Sequence, residues 1–126
     1  MYDIYAYDEN KREIAHLRAA TGTFRRINEH GYDWFKLINA SECDGGVSGM
    51  GVEKKIKLFN FLKAMKKLKS HKVKRELVKI HDDTKDGTTV LVDYWTSRKR
   101  KLRKFMRKCI NWCILNNKDE ILIGFY

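Results

Sequence analysis

Five cations between positions 101 and 108, namely Lys101, Arg103, Lys104, Arg107 and Lys108, are the side chains best placed to do chemistry, and that chemistry is neutralisation of a polyanion. Lysine and arginine gain affinity for a phosphate backbone by releasing its condensed counterions, whether or not bases are read. On a helix, Leu102, Phe105, Met106 and Cys109 share one stripe and the cations cover the rest. A second lysine-rich segment offers Lys66, Lys67 and Lys69 as a further contact. We therefore expect a nucleic acid as the first candidate partner and an acidic protein as the second, bound without catalysis. The competing description is a solvated helix face in a lysine-rich chain, because charge argues about partners and not about fold. A basic amphipathic helix also suits an anionic membrane. Here Cys109, Trp112 and Cys113 point the helix at a protein core, so no membrane contact is expected.

The charge is unevenly distributed. Residues 1 to 52 hold six basic and eight acidic side chains, whereas 53 to 126 hold twenty-one basic and eight acidic ones, so a formal net charge of +11 divides as −2 against +13. Exposed aromatic rings among the cations would favour a single strand, since bases stack on them. Tyr94 and Trp95 precede the basic run, and Tyr2, Tyr5 and Tyr7 lie on an alternating segment near the start. Tyr5 and Tyr7 share a strand face with Asp3, and we expect them to pack at a core or an edge.

Other constellations are weaker. The stretch Asp44-Gly45-Gly46-Val47-Ser48-Gly49-Met50-Gly51 precedes an expected helix start, where free N–H groups can hold an anion. It departs from the P-loop because Val52-Glu53 stand where Lys and Ser/Thr are required, and from the dinucleotide fingerprint because no strand precedes it. An enzyme acting on a phosphorylated or nucleic-acid substrate through this loop, residues 44–51, is the alternative function. Asp44, Glu53 and Lys55 imitate the two acids and lysine of a metal-dependent nuclease, but such a trio arises easily by chance, and an acid at a helix start is favoured by the dipole. Cys109 and Cys113 are one helical turn apart, yet a structural zinc site needs four ligands. His16, His30, His71 and His81 are scattered, with no partner nucleophile in view. No catalytic residue, metal site or cofactor is assigned.

These side chains must be positioned by a small α+β fold. Residues 2–7 and 13–18 alternate around Asp8-Glu9-Asn10-Lys11 and predict a β-hairpin. Thr21 or Thr23 is expected to cap a helix carrying Phe24, Ile27, Trp34, Phe35 and Ile38, with Gly31 as a point of division. Residues 41–51 read as a loop and 52–69 as a helix on the spacing of Leu58, Phe61, Leu62, Met65 and Leu68. Residues 70–83 suit a helix or a short strand, and we favour the helix. Residues 88–95 are rich in β-branched and aromatic side chains and predict a strand, 97–116 a long helix and 120–126 a final strand. A parallel β-α-β crossover over the last three elements would give a small mixed sheet packed with about three helices.

The chain has 126 residues, of which 43% are hydrophobic, enough for one domain with its own core. Three cysteines make an odd number, which suits a reducing compartment, and Met1-Tyr2-Asp3-Ile4-Tyr5 has neither the basic start nor the apolar run of an export signal. We expect a cytoplasmic protein. The most apolar run, 109–115, falls short of the ~20 residues a membrane span requires.

Overall fold

The first alternating segments fold as the expected hairpin, with strand β1 (Ile4–Tyr7) paired antiparallel to β2 (Glu13–Leu17). Asp8 builds the turn: its Oδ1 accepts hydrogen bonds from the backbone N–H groups of Asn10 and Arg12, both at 2.8 Å. A short aspartate side chain imitates a backbone acceptor in this way. The computed structural model describes residues 3–18, 24, 31–44, 51–70, 78–79, 89–90 and 94–126. The segment 25–30, most of the glycine loop (45–50), and 71–77 with 80–88 lie outside the described residues, and so do the expectations that fall on them.

A one-turn helix, α1 (Trp34–Leu37), starts where Asp33 accepts from the Lys36 N–H. It ends at Asn39, whose φ of 60° lies in the left-handed region that asparagine tolerates. Ser41–Cys43 form a 3-10 turn within the expected loop.

The next segment departs from expectation. Val52–Lys57 form strand β3, and only at Leu58 does helix α2 (Leu58–Ser70) begin. The sequence VEKKIK alternates in period two, and its partner is the apolar strand β6 (Glu120–Phe125), along which it pairs antiparallel from Val52 opposite Phe125 to Lys57 opposite Glu120. Pairing along β6 outweighs the weak helical preference of the lysines. Within α2 the buried stripe is Phe61, Ala64, Met65 and Leu68, while Leu62, expected on it, is exposed.

In the second half a strand forms within the expected 88–95, at Thr89–Val90, whereas Val78–Lys79 is a strand where the sequence favours a helix. Val78–Lys79 and Thr89–Val90 are strands β4 and β5, paired with each other in a separate two-stranded sheet. Tyr94 and Trp95, expected in a strand, instead open helix α3 (Tyr94–Leu115), since no glycine or proline separates them from the helix that follows. The main sheet has the order β2-β1-β6-β3 and is antiparallel throughout, so neither the parallel crossover nor the mixed sheet forms. The strand expected to lead the crossover pairs with β4 in the separate sheet, and β1 and β3, the neighbours of β6, both run antiparallel to it. Helix α3 ends at Asn117, where φ is 52°. Lys118 N–H donates to the Cys113 carbonyl at 2.8 Å and Asn117 N–H to that of Ile114 at 3.3 Å, a tight cap that reverses the chain from α3 directly into β6. The class is α+β, as expected.

One face of the sheet, carrying Ile4, Ala6, Leu17, Ile56, Ile121, Ile123 and Phe125, is buried under the helices. Trp34 sits at the middle of the helical side with Phe24, Phe35, Phe61 and Phe105 around it. No described helix is long and apolar enough to cross a membrane.

Cys43, Cys109 and Cys113 are free and buried, and burial pushes all three thiols up from their ordinary range. A disulfide reagent at pH 8 should therefore react with the native protein far more slowly than with the denatured chain, in which all three thiols titrate promptly. Fast reaction of native Cys109 would contradict its place in the core.

Candidate nucleic-acid interface

Helix α3 holds its cations because its other side is firmly anchored. Leu102, Phe105, Met106, Cys109 and Cys113 are all buried, while Lys101, Lys104, Arg107 and Lys108 are exposed and Arg103 is partly covered. The charge pattern does nothing for the helix itself. No acid occupies its first turn and no base its last, whereas the macrodipole favours acids at the start and bases at the end. Lys104 and Lys108 are four residues apart and repel by a few tenths of a kcal/mol, as like charges on one helical face do.

Strand β2 is the sheet edge that packs against α3. Between them runs a groove of about 440 Å³ lined by Lys101, Lys104 and Lys108 from the helix, by Glu13 and His16 from the strand and by Arg18 just after it. The three lysines span roughly 10 Å of helix, a stretch that matches about three successive phosphates along one duplex strand. Arg103 and Arg107 do not line this groove. Lys66, Lys67 and Lys69 are exposed on α2, which packs on α3, and they too lie outside it. The structure thus brings three of the eight expected binding residues together and adds Arg18 and His16.

The ion pairs of the described residues are concentrated elsewhere. Lys11 pairs with Glu53, Lys55 with Glu120, Lys54 with Glu42 and Lys118 with Glu9. Among the described residues no carboxylate pairs with Lys101, Lys104 or Lys108. A second cleft, of about 430 Å³, contains Tyr7, Trp112, Lys55 and Lys118, and these lysines already face acids.

The other face of the main sheet carries rings. Tyr5 lies opposite His16 with ring centroids 4.2 Å apart and planes 11° from parallel, and Tyr7 follows at 6.0 Å and 16°. Tyr126 meets Tyr5 nearly edge-on at 6.0 Å. Tyr5 and Tyr7, expected to be packed away, are half-buried on the side no described helix covers. Period two already placed them on one face; Tyr126 carried no such signal, because its contacts come from strands far apart in sequence, and His16 meets Tyr5 through the register of the hairpin, which alternation alone does not set.

The imitation nuclease trio does not hold together. Glu53 lies on strand β3 and not at a helix start, and it accepts from the Tyr126 hydroxyl at 2.7 Å besides facing Lys11. Lys55 faces Glu120. Among the described residues no group of three or more histidines, cysteines or acids is arranged to hold a metal. No family model matches this chain, and neither does any curated protein or solved structure, so the interface is read from its own geometry.

Proposed function

We propose that this protein is a non-enzymatic nucleic-acid-binding module of a reducing compartment such as the cytoplasm, gripping phosphates in the groove between α3 and β2. The observation that supports the reading is the convergence of Lys101, Lys104 and Lys108 with Arg18 on one groove, where Glu13 is the one described carboxylate in the lining and forms no ion pair with the lysines. A cluster that costs helix stability and has no ion-pair partner among the described residues is matched by an external polyanion, whose counterions are released on binding. Arg103, Arg107 and the α2 lysines Lys66, Lys67 and Lys69 extend the positive field that draws the strand in.

Acetylation footprinting tests this directly. With an oligonucleotide bound, Lys101, Lys104 and Lys108 should be protected several-fold, and Lys66, Lys67 and Lys69 less. Equal protection everywhere, or none, would remove the groove from the account.

A second reading follows from β2 being an edge strand, which offers unpaired backbone groups to an added strand. An acidic protein segment would lie there with its carboxylates toward the same lysines. Binding of an acidic peptide that tracks peptide sequence, with no binding of nucleic acid, would select it.

A further inference from the structure

We infer that the uncovered sheet face beside this groove is a stacking platform for the unpaired bases of a single-stranded nucleic acid, with Tyr126 as its floor and Tyr5 and Tyr7 as its wall. The inference rests on the nucleic-acid reading above and names the kind of strand.

The floor is made by two glycines. A Cβ built on Gly124 would come within 2.4 Å of Tyr126 Cε2, and one built on Gly51 within 2.3 Å of Tyr126 Cδ1. These atoms lie on opposite edges of the ring, so the ring rests across β3 and β6 with one side against the backbone. It remains 42% exposed. Gly51 also has φ of 77°, which leaves glycine the unstrained choice there.

The ring is held before any ligand arrives. Its hydroxyl donates to Glu53 Oε1 at 2.7 Å, and Glu53 is in turn faced by Lys11 at 3.7 Å. The bond to Glu53 pushes the Tyr126 phenol up to about 12, so it remains a donor at neutral pH. Backbone pairing of Tyr126 with Asp3, at 2.7 and 2.9 Å, fixes the residue itself. Ordering the ring in advance removes part of the entropy cost of binding.

The wall stands nearly perpendicular to this floor. Tyr5 is inclined 69° to Tyr126, and the rings of His16, Tyr5 and Tyr7 form a near-parallel row. A base lying on Tyr126 would set its edge against that row, an arrangement open to a splayed single strand and closed to a base inside a duplex. His16 joins the two surfaces, because it both lines the cationic groove and stacks on Tyr5. Phosphates held by Lys101, Lys104 and Lys108 would thus leave bases directed over the β2 edge. Two of the acids on this face are matched by cations, Glu53 by Lys11 and Glu120 by Lys55, while Glu13 lies opposite Tyr7 at the edge.

The test compares two fluorescent strands of equal length and charge, a ten-residue oligothymidylate and its fully abasic counterpart, by anisotropy at fixed salt. The oligothymidylate should bind about tenfold tighter or more, the usual effect of stacking a base on an aromatic ring. Tyr126→Leu should bring it down to the abasic level while leaving the salt dependence unchanged. Gly124→Val, which lifts the ring without deleting it, should do the same, and Tyr126→Phe should retain most of the preference. Thermal melts identify a variant that misfolds, and the wild-type comparison stands without any variant. Equal binding of both strands would overturn the platform and leave the groove intact, whereas binding of neither would overturn both.

Discussion

Replacing Trp34 with alanine should destabilise the fold by about 3–5 kcal/mol, the usual range for removing a large aromatic side chain from a core. Trp34 is fully buried, stacks on Phe24 at 4.9 Å and meets Phe35 edge-on at 5.3 Å. Its Nε1–H also donates to Met106 Sδ at 3.2 Å, tying α1 to the buried stripe of α3. A domain has about 5–15 kcal/mol in all, so the loss leaves little margin, and the melting temperature should fall by roughly 10–20 °C. Because Met106 lies one residue from Phe105 on the helix that carries the lysines, the variant should also bind nucleic acid less tightly near its melting range. Urea denaturation followed by circular dichroism measures the effect. A loss under about 1 kcal/mol would contradict the central place given to this ring.

Much of the fold was legible where a local rule decides it. The hairpin follows from alternation around Asp8, and α3 from the stripe of Leu102, Phe105, Met106 and Cys109. Sequence reading failed where pairing between distant segments decides. Val52–Lys57 contains four charged residues in six and reads as the start of the helix that follows, but β6 lies alongside it and the strand wins. The parallel crossover failed for a related reason, since Thr89–Val90 pairs with Val78–Lys79 in a separate sheet and β6 is flanked by β1 and β3 instead.

The candidate site was legible in half. Exposure of Lys101, Lys104, Arg107 and Lys108 follows from their helical spacing, and the side chains obey it. Which cations share a groove depends on the strand packed beside the helix, and that selects Lys101, Lys104 and Lys108 over Arg103 and Arg107. Tyr126 could be recognised only after Gly51, Glu53 and Gly124 were seen around it.

The second large effect is expected from changing Lys101, Lys104 and Lys108 together to alanine. Each lysine that neutralises a single-strand phosphate contributes about −0.7 to the slope of log affinity against log salt, so the triple change should flatten that slope by roughly 2 units. Extrapolated from near 1 M salt, this amounts to roughly 2.5 orders of magnitude in affinity at 50 mM. The fold should be unaffected, because exposed charge changes usually shift stability by no more than about 0.5 kcal/mol and mutual repulsion is relieved.

The salt dependence of single-strand binding, measured by fluorescence anisotropy for the wild-type protein and this triple variant side by side, therefore tests the groove most directly. A steep slope is expected for the wild type and a slope flatter by about 2 units for the variant, with affinities that converge as salt rises. Equal slopes and equal affinities for the two proteins would show that the lysines between α3 and β2 hold no phosphates.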